Sequence, residues 1–235
     1  LAALVMTAIS LLIPILCVSR FQLVFAVLLA AFTYISLQKL FHPGWLFGLF
    51  VVMIPFYLIL TVARSHNIEY LNGIFEMKNA SMPIFVSQPY IYIANNYDNF
   101  NFLVGALPGH SFGLKGLFPL WALSGLKFFF PQLINFPIYV DKTELTTLTL
   151  FYDSYYDFGW IGVLLFSCIL GAIAYILVVK LREMRNPLGY LLYAQFAAYL
   201  MLSFFTTWFS NTTTWFYLIL TGIMALFYHL RASRW

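Results

Sequence analysis

YYDFGWIGVLLFSCILGAIAYILVV, Tyr155 to Val179, is the stretch on which the fold turns. From Trp160 onward it is an unbroken apolar run of about 20 residues, the length that crosses a bilayer as a helix. Backbone amides left unpaired in lipid are costly, so helices are the spanning form, and the chain lacks the alternation of a membrane barrel. The same length test picks out further spans at roughly 3–19, 21–38, 45–63, 188–208 and 211–229. Composition agrees: 63% of the 235 residues are apolar and 9% are charged, which is foreign to a soluble domain of this size. The sequence therefore predicts an all-α polytopic membrane protein with about six visible transmembrane helices. Pro14 and Pro55 fall inside spans, where they read as kinks rather than ends. The chain opens on Leu1, within an apolar run and without an initiator methionine, and reads as a fragment lacking upstream spans.

Orientation follows from the basic residues of the short connections, which stay on the cytoplasmic side. Lys39, the cluster Lys180, Arg182 and Arg185, and the pair Arg231 and Arg234 fall on one side if the spans alternate; only Arg20 falls in a short link on the other. This places residues 64–154 outside the cytoplasm, between one group of three spans in 1–63 and another in 155–235. Residues 64–157 hold seven of the eight acids, five of the twelve Lys and Arg residues and two of the four histidines. Rich in Tyr, Phe, Ile and Trp, the segment reads as an ordered extracytoplasmic loop rather than a disordered one. Two interfacial helices are expected within it, at about 89–105 and 111–130.

Several functions fall away at this level. Asp157-Phe158-Gly159 matches the magnesium-positioning triplet of protein kinases, but the Gly-rich loop, strand lysine and His-Arg-Asp loop that such a site needs are missing. Neither a dinucleotide nor a P-loop glycine pattern occurs, and His and Cys residues lack metal-ligand spacing. Cys17 and Cys168 both fall in spans, which disfavours a structural disulfide. The net charge of +4 follows from topology and does not imply nucleic acid as a partner. Asn79-Ala80-Ser81 and Asn211-Thr212-Thr213 match glycosylation acceptors, a pattern frequent by chance.

In TLTLFYDSYYDFGWIGVLLFSCILG, Thr147 to Gly171, a Thr precedes a Tyr-rich run, Asp157-Phe158-Gly159 and Gly162 at the head of a membrane helix. This resembles the C-terminal part of the Wzy-type O-antigen and capsule polymerases, the oligosaccharide repeat-unit polymerase family. In that family a Thr ahead of Asp-Phe-Gly-x-x-Gly marks where the chain re-enters the membrane after its large external loop, and Thr149 and Asp157 match. The likeness covers roughly residues 45–230 in layout and Thr147 to Gly171 in specific sequence. It implies glycosyl transfer on the outer face of the bacterial cytoplasmic membrane, for capsule, exopolysaccharide or O-antigen. An oligosaccharide leaves undecaprenyl diphosphate and joins the sugar of another lipid-linked repeat unit. A chain-length regulator and a flippase are implied as partners. No metal or nucleotide cofactor is expected, because the donor carries its own leaving group.

The residues can be matched to that chemistry. A departing diphosphate needs positive charge, and Arg suits phosphate oxygens best. Arg64 is the only Arg of residues 64–154, although a snorkelling anchor would look the same. Lys115, Lys127 and Lys142 are secondary phosphate candidates or ordinary surface charges. His110, in PGHSFG, and His66 are the natural bases for an acceptor hydroxyl. Asp98, Asp153 and Asp157 could serve if burial raised their pKa. Asp157 also reads as the cap of its span, with Gly159 and Gly162 giving a smooth face for helix packing. Tyr152, with Tyr90, Tyr92, Tyr97, Trp121 and Tyr155, offers flat faces for sugar rings or an aromatic belt. O-antigen ligase is the nearest alternative. A transporter or flippase of lipid-linked sugars is the alternative of another class, against which stands the scarcity of ionisable residues at mid-span.

Overall fold

The computed structural model describes Leu12, Leu16 and residues 20–38, 43–62, 67–183 and 186–232. All of the expected span 3–19 except Leu12 and Leu16, with Pro14 and Cys17, lies outside the described residues, as do Lys39, Arg64, His66, Arg185 and Arg234. Among the described residues every regular element is helical. The chain forms two compact units, Leu1–Tyr90 and Ile91–Trp235.

The first unit holds α1 (Arg20–Gln38), α2 (Pro43–Val62) and α3 (Ile68–Ile74), and α1 packs against α2. Pro55 sits inside an uninterrupted α2. Asn67 caps α3 by accepting from the amide of Tyr70. Beyond α3, the fully buried Asn72 donates from Nδ2 to the carbonyls of Ala80 (2.8 Å) and Met82 (2.7 Å). Asn79 accepts from the amide and hydroxyl of Ser81, so this acceptor-like tripeptide makes a turn. The helix α4 (Ile84–Ala106) begins in this unit, and most of it belongs to the next.

The second unit continues with α5 (Phe118–Leu123), α6 (Tyr152–Glu183), α7 (Pro187–Met201) and α8 (Thr212–Ala232), and α7 packs against both α6 and α8. Asn186 caps α7, with Pro187 at its first position, and Asn211 caps α8 by accepting from Thr213. Two helical stretches are long and apolar enough to cross a membrane, Tyr152–Lys180 in α6 and Thr212–Arg231 in α8; a shorter apolar stretch, Phe21–Leu37, lies in α1. Within the apolar 18-residue window of each stretch only 11% is buried, so side chains such as Ile161, Leu164, Leu226 and Phe227 face outward, as lipid contact requires and a soluble core helix would not.

Three boundaries differ from expectation. The helix expected over 111–130 is a loop, then the six-residue α5, then 3-10 turns at Leu126–Phe128 and Pro131–Leu133. Its breaks fall at Gly113 and Gly125, both with positive φ, and at Pro131. The expected span 188–208 ends at Met201, short of a bilayer's width, and the polar Thr206 and Thr207 follow in irregular backbone, with Ser210 closing a 3-10 turn. Finally, α6 starts at Tyr152, about two turns ahead of the apolar run.

Irregular backbone packed inside a protein must find partners for its polar groups. Here α4 supplies them. Asn95 and Asn99 donate to the carbonyl of Leu145 (3.0 and 2.7 Å), Asn99 also to Thr147 (2.9 Å), and its Oδ1 accepts from the amide of Asp141 (3.0 Å). Asn96 donates to the carbonyl of Phe204. Asn95, Asn96 and Asn99, on the helix expected at the interface, are thus buried rungs. Beside them Leu103, Tyr152, Tyr155 and Tyr156 form a core, with Phe100, Phe136, Tyr139 and Val163 around it.

Candidate functional site

The head of α6 is broken. Phe158 (φ −138°, ψ 15°) and Gly159 (φ 61°, ψ −147°) leave the helical region, separating the turn beginning at Tyr152 from the apolar shaft. The conformation at Gly159 is open to glycine alone. A Cβ on Gly162 would stand 2.1 Å from the carbonyl oxygen of Ser154 and 2.9 Å from Cβ of Phe158. Both glycines therefore serve the break within their own helix, which replaces the packing face expected from sequence.

A break in a helix strands carbonyls. The loop between α4 and α5 takes them up: the amide of Ser111 donates to Tyr156 O (3.2 Å) and that of Phe112 to Asp157 O (3.1 Å). The Asp157 carboxylate completes the clamp. Its Oδ1 accepts from the Ser111 hydroxyl and the Lys115 amide (3.2 Å), and its Oδ2 from the Gly116 amide (2.8 Å). A Cβ on Gly116 would meet Oδ2 at 2.5 Å, and Phe112 and Gly113 both take positive φ to make the turn. Asp157 thus binds the loop instead of capping its own helix, because the loop's amides reach it first. Neither Ser111 nor Gly116 was singled out from sequence; the glycine spacing of PGHSFGLKG was the available signal.

The clamp sets His110 and Lys115. His110 is exposed, with Nδ1 3.3 Å from the carbonyl oxygen of Tyr156. A carbonyl can only accept, so this partner assigns the proton to Nδ1 and leaves the lone pair of the neutral ring on Nε2. A Cβ on Gly159 would lie 3.1 Å from that nitrogen, so the glycine also keeps its approach open.

Lys115 points inward. Its Nζ lies 3.7 Å from Asp153 Oδ1, an ion pair too long for a hydrogen bond, and 4.4 Å from the centre of the Tyr156 ring. The two side chains are 12% and 7% exposed. The hydroxyls of Ser210 and Thr207 approach Asp153 from the segment after α7. Burial outweighs the attraction of Asp153 and Asp157 and holds the Lys115 pKa below the ordinary lysine value. Buried and paired with Asp153, the Lys115 ammonium is not presented to an incoming diphosphate.

Tyr152 is fully buried; its hydroxyl donates to the carbonyl of Tyr139 and accepts from its amide, both at 2.8 Å, and its ring lies 5.5 Å from Lys115 Nζ. It forms a wall behind Lys115. Asp98 stands on the exposed face of α4 with Tyr97 and Phe102, away from this cluster. The structure thus gathers His110, Lys115, Tyr152, Asp153 and Asp157, and leaves Asp98 outside. It carries no description of Arg64 or His66. No family model matches this chain, and no curated protein or solved structure is detectably similar to it.

Proposed function

We propose that this chain belongs to a multi-pass glycosyltransferase of the bacterial cytoplasmic membrane that polymerises oligosaccharide repeat units carried on undecaprenyl diphosphate. The observation that supports this best is His110: an exposed imidazole whose Nδ1 faces a main-chain carbonyl, whose Nε2 is open, and which sits at the broken head of a membrane-length apolar helix. Such a group suits a reaction between a sugar hydroxyl and a lipid-linked donor at the membrane surface. In the proposed step the acceptor hydroxyl attacks the anomeric carbon of the donor, and the bond from that carbon to the diphosphate breaks. The hydroxyl proton passes to Nε2 of His110, and the lipid diphosphate leaves with the bond's electrons. Positive charge for the leaving group falls to Arg64 in this reading, since Lys115 is engaged by Asp153. Residues 64–154 form the external catalytic segment, carried by about six spans.

The test is deletion of the gene followed by glycan analysis. Single repeat units left on lipid support the polymerase, and long chains of normal length remove it. In complementation, His110→Ala is expected to lower chain elongation on the order of 10²- to 10⁴-fold while the protein still reaches the membrane. Unchanged elongation in that variant would move the base elsewhere.

A further inference from the structure

His110 stands at the end of a row of aromatic rings packed edge to face. The Tyr155 ring lies 6.1 Å from His110, and Trp160 lies 5.1 Å from Tyr155; Phe100 braces both, at 5.5 Å from Tyr155 and 6.1 Å from Trp160. Contacts of this kind favour one ring orientation. Tyr155 is buried within the row, whereas Trp160 is 64% exposed. A rigid indole surface therefore stands one ring away from the histidine.

The use of the indole nitrogens separates Trp160 from its neighbours. Trp121 donates to the carbonyl of Leu114, Trp208 to Leu202 and Trp215 to Phe209, each within hydrogen-bond range. These tryptophans tie down local turns. Among the described residues Trp160 donates to none, so its Nε1 is open along with its surface. A residue needed only for contact with lipid tails would require neither a braced ring nor a free donor; Ile161, Leu164 and Leu165 fill the neighbouring exposed positions without either.

A pyranose ring has an apolar face of C–H bonds and a rim of hydroxyls. Laid on an indole, it covers the apolar surface, keeps its rim free for hydrogen bonds and can accept one from Nε1. We propose that Trp160 is the platform for the acceptor sugar, holding it so that the attacking hydroxyl points at Nε2 of His110. This rests on the glycosyl-transfer reading above and adds to it the residue that positions the acceptor.

The experiment uses the purified chain in liposomes, with the repeat unit on a short prenyl diphosphate as acceptor and the lipid-linked unit from the deletion strain as donor. Trp160→Tyr keeps a flat ring and is expected to hold the acceptor KM within about threefold, whereas Trp160→Leu keeps lipid contact and raises it about tenfold at unchanged kcat. Wild-type KM in the leucine variant would overturn the platform. Binding is read independently by indole emission on titration with the oligosaccharide released from the lipid. A change present in wild type and absent in Trp160→Phe supports the proposal, and its absence in wild type overturns it. A wild-type protein that binds this oligosaccharide through Trp160 but elongates nothing would instead remove the polymerase reading alone.

Discussion

Removing one partner of a buried ion pair leaves an uncompensated charge, whereas neutralising both leaves none. For Lys115 and Asp153 this predicts that Lys115→Met costs about 3–5 kcal/mol of stability, and that adding Asp153→Asn recovers most of it. Thermal unfolding of the detergent-solubilised protein measures both, and a loss in the double variant equal to the sum of the Lys115→Met and Asp153→Asn losses would show the pair to be uncoupled. The pH dependence has a definite sign. Because burial lowers the folded-state pKa of Lys115, the unfolded chain binds more protons between that value and the ordinary lysine range. Stability of the wild type relative to Lys115→Met should therefore rise with pH across that interval; a relative fall would mean that Asp153 outweighs burial. At this scale His110, Lys115, Asp153 and Asp157 could be picked from sequence because each brings a specific chemistry to an otherwise apolar chain. Which of them faces outward could not. Tyr152 and Asp98 looked alike as candidates, yet one is sealed against Tyr139 and the other stands in the open.

The helix α6 is legible from its twenty apolar residues, and its break from Gly159 and Gly162 only in part, since spacing indicates small residues but not what approaches them. The structure identifies the approaching atoms, which allows the glycines to be ranked. Gly162→Ala meets main-chain oxygen and carbon and should destabilise by about 1–3 kcal/mol, while Gly171→Ala, with nothing near, should be neutral or slightly stabilising. Equal melting temperatures for the two variants would count against the close approach at Ser154. The helix expected over 111–130 failed for a related reason. Apolar content there matched a helix, but Gly113, Gly125 and Pro131 each end one, and the clamp on Asp157 pulls the first part into a turn. The Asn ladder was not legible in the sequence because a polar helix face serves a membrane interface and stranded carbonyls equally well; only the partner carbonyls, 46 or more residues away, distinguish them.

At the scale of the whole molecule the exposed apolar shafts of α6 and α8 were the most legible feature, and the sidedness of the segment between them and the first unit is its most consequential expectation. A cysteine introduced at the exposed Thr143, in a background lacking Cys17 and Cys168, should react with a membrane-impermeant maleimide in intact cells. Labelling only after lysis would place the segment, and His110 with it, on the wrong side for a lipid-linked sugar. The clamp has a further consequence for biosynthesis. The loop at His110 to Gly116 is held by Tyr156 and Asp157, Leu150 donates its amide to Ser203, and Asp153 is met by Thr207 and Ser210, so each anchor is synthesised after the piece that it holds. While the ribosome is still translating the end of α6, the histidine has left the exit tunnel but the far wall of its cluster does not yet exist. Assembly of the cluster is therefore tied to synthesis through Ser210, and a nascent chain stalled before that residue would carry the loop without the far wall that meets Asp153.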